Sequence, residues 1–293
     1  MKQAYLKYIL ALLLFGSNGV VASHIALSSY EIVLSRAFIG CLFLIFVFVI
    51  SRQQLQCLKN KKHLVYIAVS GIAMGASWMF LYEAYTQMGV SLATLAYYCG
   101  PVMVMAFAPI VFNEKITKPK LLGFLAVFVG MIFVNYAELS QGRFSWGLLC
   151  GILSAVLYTI MVIFNKKAES IKGLENAMCQ LIAGFAFICI FVLFKQGVNI
   201  SIPAQSVLPV LVLGVINTGV GCYLYFSALP RLPAQSVAIC GYLEPVSALA
   251  FSALFLGEHL NWVQLVGTVF ILGGAAFAEL YKKKSLKIDI LPK

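Results

Sequence analysis

"YLEPVSALAFSALFLGE" occupies residues 242–258, and "YCGPVMVMAFAPIVFNE" occupies residues 98–114, which is 144 positions earlier. The two stretches share a tyrosine, a proline, a phenylalanine and a glutamate in the same order. The same offset aligns Glu31 with Glu175, Gly75 with Gly219 and Gly123 with Gly267. Shared prolines and glutamates are not expected by chance in apolar sequence, so the chain is predicted to be an internal duplication.

The repeated unit has the composition of a membrane protein. Of the 293 residues, 62% are hydrophobic and 11% are charged, whereas globular proteins are about half apolar and about a quarter charged. A helix needs roughly 20 apolar residues to cross a bilayer, and lipid leaves no partner for unpaired backbone groups. The apolar runs therefore predict an all-α integral membrane protein with ten transmembrane helices, at about 5–23, 31–51, 64–86, 91–112, 119–137, 144–164, 175–195, 207–229, 233–256 and 262–281.

Each repeat contains five predicted spans, and five is an odd number. The second repeat therefore enters the membrane from the other side, which predicts two repeats of inverted topology over 1–140 and 141–284, with a tail at 285–293. The first 23 residues look like a signal peptide. However, they align with the sixth span, so we expect them to remain in the mature protein. Inverted repeats around a midplane site recur in secondary transporters.

The distribution of cations predicts the orientation of the chain. The net charge is +11, and 18 of the 21 lysines and arginines fall in alternate loops and at the two ends, at Lys2, Lys7, 52–62, 115–120, 166–172, Arg231 and 282–293. Loops rich in lysine and arginine stay in the cytoplasm. We therefore expect both termini to be cytoplasmic in a multi-pass protein whose partner is the lipid bilayer, and we expect no nucleic-acid binding.

Cysteine and histidine patterns give no sign of enzyme chemistry. Seven of the eight cysteines lie in predicted spans and form no CxxC pair, while the three histidines lie in loops or at span ends. The chain contains no HExxH, GxSxG or phosphate-binding loop. We therefore expect no metal, no cofactor and no catalytic residue.

Several motifs together resemble a known family. "LLFGSN" at 13–18, the lone Arg36 in the second span, the stretch 242–258 and "QLVGTVFILGG" at 264–274 resemble the EamA family of the drug/metabolite transporter superfamily. The resemblance covers the whole chain. It implies a ten-helix transporter, usually of bacterial inner membranes, that often exports amino acids, related metabolites or toxic compounds. It also implies that helices one to four and six to nine enclose a cavity, with five and ten outside it supporting packing or a homodimer.

Charged residues inside spans are candidate site residues, because each costs about 2.5–3.5 kcal/mol near the bilayer centre. Glu244 is predicted to contact substrate or a coupling ion, or alternatively to bond to backbone loosened by Pro245. Its repeat counterpart is Gly100, so a symmetric pair of acids is excluded. Arg36 suits an anionic group, although it could instead reach the interface or pair with Glu31.

Further candidates lie near these charges. Glu83 is a second coupling candidate, with solvation at the interface as the alternative, and Gln180 is the repeat counterpart of Arg36. Pro101 and Pro245 are predicted hinges, because proline breaks or kinks a helix. Polar and aromatic residues complete the substrate-binding set, with helix packing as the alternative for the stripes, at Asn18, Trp78, Tyr82, Tyr97, Tyr98, Asn217, Tyr225 and Tyr242.

These features predict a secondary transporter that moves a small metabolite, such as an amino acid or a related polar compound, by alternating access. Arg36 and Glu244 together would suit a zwitterion. Export is favoured by the family resemblance, while a facilitative importer of a metabolite or nucleotide-like compound would have the same architecture. A channel and a non-transporting membrane scaffold are the alternatives from other classes.

Overall fold

The computed structural model describes residues 1–88, 93, 96–134, 146–197, 202–257 and 262–281. Regular structure in these residues is helical. Seven helical segments are long and apolar enough to cross a bilayer, and two shorter apolar helices accompany them. The chain is therefore a multi-pass membrane protein. The ten-span count stays a prediction, because part of the predicted fourth span lies outside the described residues.

We number the principal helices in chain order. They are α1 (Lys2–Gly16), α2 (Asn18–Ala22), α3 (Ser29–Ile50), α4 (Lys61–Met88), α5 (Cys99–Phe112), α6 (Lys118–Val134), α7 (Trp146–Lys167), α8 (Gly173–Gln196), α9 (Val207–Val212), α10 (Gly221–Ala228), α11 (Ala234–Gly241), α12 (Leu243–Phe255) and α13 (Trp262–Leu280). A π-helical stretch, Leu213–Val220, joins α9 to α10.

Two prolines mark interruptions at equivalent places in the two repeats. The helix α11 ends at Gly241, and α12 begins at Leu243 after a turn at Tyr242. Gly241 is four residues before Pro245, which is the residue whose carbonyl a proline ring displaces. In the first repeat, a turn at Tyr98 precedes α5 and Pro101 in the same way. Both prolines lie in the first turn of their helix, where the missing N–H has no partner to lose.

The last helices of the two repeats, α6 and α13, pack against each other in opposite directions. A β-carbon added at Gly123 would lie 2.5 Å from the carbonyl oxygen of Gly274, and one added at Gly130 would lie 2.6 Å from that of Gly267. As the number rises along α6, it falls along α13, so the pair is antiparallel. Glycine at these contacts lets the two backbones approach closely.

The lysine-rich loops gather on one face of the bundle. Glu175, at the start of α8, accepts hydrogen bonds from the amides of Gln56 and Cys57 at 2.6 and 2.7 Å. His63 Nδ1 lies 2.6 Å from Ser170 Oγ. We call the surface formed by 52–62, 114–120, 166–175 and 229–235 the basic face.

The other helix ends meet on the opposite face. There the amide of Ala26 donates to Ser206 Oγ at 3.0 Å, and Lys195 forms an ion pair of 3.3 Å with Glu83.

Candidate functional site

A central cavity lies between α1, α3, α4, α7, α10 and the start of α12. Its wider part, of about 600 Å³, reaches Ala22, Ser29 and Thr86 on the opposite face. Its inner part ends at side chains that include Tyr158, Met161, Tyr225 and Phe226. Six residues line both parts, and all of them except Phe15 belong to the predicted substrate-binding set: Phe15, Asn18, Arg36, Trp78, Tyr97 and Glu244.

Arg36 faces this cavity from α3. The residue is 7% exposed, and its guanidinium lies 4.4 Å from the centre of the Trp78 ring. Stacking on an aromatic face holds the guanidinium plane in one orientation. The alternative pairing with Glu31 is not observed, because Glu31 forms a capping box with Ser28 at the start of α3.

Glu244 lines the same cavity from the first turn of α12. The first amides of a helix lack intrahelical partners and carry partial positive charge, which stabilises an acid there. Among the residues that the structure describes, no ion pair within 4.0 Å joins Glu244 to Arg36. The cavity therefore holds a guanidinium group and a carboxyl group that do not contact each other directly.

Two buried polar atoms of the cavity have no hydrogen-bond partner within the described residues. They are Arg36 Nε, a donor, and Asn18 Oδ1, an acceptor. Buried polar groups in proteins are nearly always bonded to protein or water. Both residues line the same cavity, and a donor and an acceptor there are suited to a ligand that carries both kinds of group.

Aromatic side chains form much of the cavity wall. Tyr82 and Tyr98 line its wider part, whereas Tyr225 lines its inner part with Tyr158, whose hydroxyl oxygen is 3.3 Å from that of Tyr225. The rings of Tyr97 and Tyr158 are 5.5 Å apart at 74°. Tyr82, Tyr97, Tyr98 and Tyr225 belong to the predicted set, whereas other lining residues were not predicted, among them Phe15, Met74, Ser77, Tyr158, Met161, Cys222 and Phe226.

The missed residues differ in whether a sequence signal was available. Phe15 belongs to the "LLFGSN" motif that carries the family resemblance, so it could have been included. Tyr158 and Phe226 lie in predicted spans without charged residues, and nothing in the sequence distinguishes them from packing residues.

Tyr242 and Asn217, two of the predicted residues, bond to backbone and do not line the cavity in this structure. Tyr242 is 1% exposed, and its hydroxyl donates to the carbonyl of Tyr98, its repeat counterpart, at 2.8 Å. Asn217 lies in the π-helical stretch and donates to the carbonyl of Leu14 at 2.7 Å and to Ser17 Oγ at 2.8 Å. Both side chains bond across repeats, next to the interrupted helices.

Gln180 also lies away from the cavity, in a sealed amide network. It is fully buried, as are Asn165, Asn176 and Ser70. Asn165 Nδ2 donates to Asn176 Oδ1 at 2.9 Å and to Gln180 Oε1 at 3.2 Å. Gln180 Nε2 donates to Ser70 Oγ at 2.9 Å, and Ser70 in turn donates to the carbonyl of Met161. These amides satisfy one another, so this network is a packing element in the present conformation.

Glu83, the second coupling candidate, is likewise engaged outside the cavity lining. It is 8% exposed and accepts a short hydrogen bond from the Tyr30 hydroxyl, besides its ion pair with Lys195. The Glu83 carboxylate is therefore bonded to protein side chains and not simply solvated at the interface. These bonds join the ends of α3, α4 and α8 on the opposite face.

The described residues contain no group of three or more histidine, cysteine or acidic side chains that could hold a metal ion. What the site offers is a fixed cation, an acid, unpaired polar atoms and aromatic walls. An all-helical bundle of membrane-spanning length around such a cavity is typical of a membrane transport protein.

Comparison with known proteins identifies the family. The model of the EamA-like transporter family matches residues 2–136 and 145–279. The chain therefore belongs to the EamA-like transporter family and is a transporter.

Relatives along most of the chain are also transporters. An uncharacterized transporter of Bacillus subtilis (strain 168), YxxF, is 24% identical over 277 residues, which is 93% of this chain and 88% of the relative. A probable amino-acid metabolite efflux pump of Salmonella typhimurium is 28% identical over 199 residues, which is 64% of this chain and 66% of the pump. A solved crystal structure superimposes with a TM-score of 0.80 and 18% identity, covering 94% of this chain and 97% of that structure, and thus shares the fold.

Proposed function

We propose that the protein is a secondary transporter that exports a small zwitterionic metabolite, such as an amino acid or a related compound, across the bacterial cytoplasmic membrane. Arg36 binds the carboxylate of the substrate, and Glu244 with Asn18 binds its ammonium group. The aromatic wall contacts its apolar part. The relative named as an amino-acid metabolite efflux pump supports this substrate class and direction.

One observation carries the proposal: Arg36 and Glu244 come from different repeats, more than 200 residues apart, and line one cavity without neutralising each other. Placing two charges in a buried site is costly unless a ligand or water completes their coordination. A zwitterion supplies a carboxylate and an ammonium group together, so it is a suitable ligand for both.

The proposal includes the predicted topology: ten helices in two inverted repeats, 1–140 and 141–284, with the termini and the tail 285–293 in the cytoplasm. The antiparallel contact between α6 and α13 supports it, because counterparts related by an axis in the membrane plane run in opposite directions. The basic face is then cytoplasmic, and the present conformation is open to the outside. A homodimer stays a prediction.

Purified protein in proteoliposomes provides the test. A thermal-shift screen of amino acids and amines first identifies a stabilising compound, because a ligand that binds the folded state raises the apparent Tm. Counterflow of that compound is then measured for the native protein and for Arg36→Ala and Glu244→Gln. We expect saturable counterflow by the native protein and its loss in both variants, with the fold retained.

Two results would contradict the proposal. Unchanged counterflow in both variants would remove the site, and flux that does not saturate and shows no counterflow would indicate a channel. As a control for folding, the Tm of each variant in the absence of compound is compared with that of the native protein.

A further inference from the structure

A second cavity, of about 450 Å³, opens at the basic face and shares no described lining residue with the central cavity. Its wall includes Phe112, Glu114, Lys166, Glu169 and Arg231. The turn formed by residues 229–235, between α10 and α11, borders it and contains Pro230 and Pro233. Ser227 lines this second cavity, and the neighbouring residues Tyr225 and Phe226 line the inner part of the central cavity.

Glu114 binds the start of α11. The helix α5 ends at Phe112, and the following Asn113 has a left-handed backbone conformation with φ of 54°, so Glu114 leaves the helix axis. Its Oε1 accepts from the amide of Ala234 at 2.6 Å, and its Oε2 accepts from the amide of Gln235 at 3.1 Å. In return, Gln235 Nε2 donates to the carbonyl of Glu114 at 3.3 Å.

These bonds satisfy amides that α11 cannot satisfy itself. The first N–H groups of a helix have no intrahelical acceptor and carry partial positive charge, so a carboxylate bound to two of them is stabilising. The carboxylate of Glu114 thus lies on backbone amides of the other repeat, since α5 ends against the start of α11.

Lys166 holds the same turn from another helix. It lies at the end of α7, its ammonium group donates a short hydrogen bond to the carbonyl of Leu232, and it lies 5.3 Å from the centre of the Phe112 ring. From α1, the Tyr8 hydroxyl donates to the carbonyl of Val237 at 3.1 Å. The turn and α11 are thus held by Lys166 of α7, by Tyr8 of α1 and by Glu114, which follows α5.

The far end of α11 reaches the site. It ends at Gly241, and the turn at Tyr242 separates it from Glu244 in the central cavity. A rotation of α11 about this turn would move residues 229–235 away from the ends of α5 and α7.

We propose that Glu114, assisted by Lys166, is the gate contact of the basic face: it holds α11 against α5 and α7 while the central cavity is open to the opposite face, and it must separate before the cavity opens to the basic face. This inference rests on the proposed alternating-access function and adds to it the residues that position the moving segment. Glu114 binds no substrate in this role and acts through α11.

Accessibility labelling tests the gate without a substrate. In a background with the eight native cysteines replaced, one reporter is Ala248→Cys, at the wall of the central cavity's wider part. The other reporter is Ser227→Cys, in the basic-face cavity, where Ser227 is 5% exposed. The labelling rate of each with a membrane-impermeant maleimide is measured in nanodiscs, where both faces are accessible.

In the Glu114→Ala variant, we expect the maleimide to label the cysteine at position 227 roughly ten-fold faster and the cysteine at position 248 more slowly. The reason is that loss of charge-assisted hydrogen bonds favours the conformation open to the basic face. Glu114→Gln keeps one acceptor oxygen and is expected to have an intermediate effect. Glu169→Ala is the matched control, since Glu169 lines the same cavity but makes no hydrogen bond to the 229–235 turn within the described structure; its rates are expected to equal those of the background.

Equal rates in Glu114→Ala and Glu169→Ala would overturn the gate. Faster labelling at both reporter positions, together with a lowered Tm, would overturn it as well, because Glu114 would then support folding only. The two proposals fail separately: absence of counterflow by the native protein would end the proposed function, whereas unchanged labelling would end the gate alone.

Discussion

Arg36 and Gln180 occupy equivalent positions in the two repeats, yet their surroundings are opposite. Arg36 lines the central cavity, and its Nε has no hydrogen-bond partner in the described part of the chain, whereas Gln180 is sealed in the amide network with Ser70, Asn165 and Asn176. Equivalent backbone positions in the two repeats therefore have different roles, and the neighbouring side chains determine which role each position has.

The neighbours explain the difference. The second repeat provides Asn165 and Asn176 around Gln180, while the equivalent residues around Arg36 are Val21 and Ile32. Neutral amides can bond to one another in a sealed interior, because each carries a donor and an acceptor. A guanidinium has only donors and a permanent charge, so it requires a cavity with water or a ligand. This explains why the charged residue, Arg36, lines the open cavity, whereas its neutral counterpart, Gln180, lies in a closed interior.

Transferring the charge to the amide network gives the largest expected effect. Gln180→Arg would place an uncompensated cation where no water enters, which costs roughly 3–5 kcal/mol of stability. The apparent Tm of the purified variant should fall strongly, and the yield of folded protein with it. Gln180→Met, which fills the space without a charge, is the control, and its apparent Tm should fall less. A native Tm for Gln180→Arg would mean that the network is as open as the Arg36 cavity.

The reverse exchange, Arg36→Gln, should lower transport and leave stability nearly unchanged. A lost hydrogen bond from a charged donor to the substrate is worth about 1.5–3 kcal/mol, so kcat/KM should fall roughly 10–100-fold. Counterflow of the compound found by thermal shift measures the change. A large loss of Tm with normal transport would show instead that Arg36 is a structural residue like Gln180.

Asn18 and Asn217 extend the comparison to a second pair of amides. Asn217→Ala removes the donor to Leu14 and Ser17 and should cost about 1–2 kcal/mol of stability, while transport per folded molecule is retained. Asn18 lines the cavity, and its Oδ1 has no hydrogen-bond partner among the described residues, so Asn18→Ala should lower transport and leave stability nearly unchanged. Urea or thermal unfolding beside counterflow separates the two, and identical behaviour of both variants would remove the distinction.

Substitution of Trp78, the residue on which Arg36 stacks, should have the smallest effect on transport. Trp78→Phe keeps an aromatic face but weakens the cation–π contact by about 0.5–1 kcal/mol, which predicts a KM two- to five-fold higher. Trp262→Phe is the matched control, because Trp262 is 82% exposed on α13. Equal KM values in the two variants would show that Trp78 does not position the guanidinium.

Much of the site could be predicted from rare residues in apolar sequence. Arg36 and Glu244 stand out because charges in spans are costly, and the helix interruptions at Tyr98 and Tyr242 follow from prolines at a constant offset. Tyr242, Asn217 and Gln180 were selected by the same polarity, but bond to protein partners. Polarity signals that a residue needs a partner and does not say whether that partner is protein or ligand.

The sequence by itself determined that this chain crosses a membrane, that it is duplicated, and where its helices are interrupted, since hydropathy, repeats and prolines act along the chain. Only the tertiary structure decided which side chains meet: that Tyr158 and Phe226 line the cavity, that Gln180 is sealed, and that Glu114 binds α11. The physical reason is that lipid and helix neighbours are both apolar, so hydropathy leaves the rotation of each helix about its axis undetermined. Close contacts between distant helices determine that rotation.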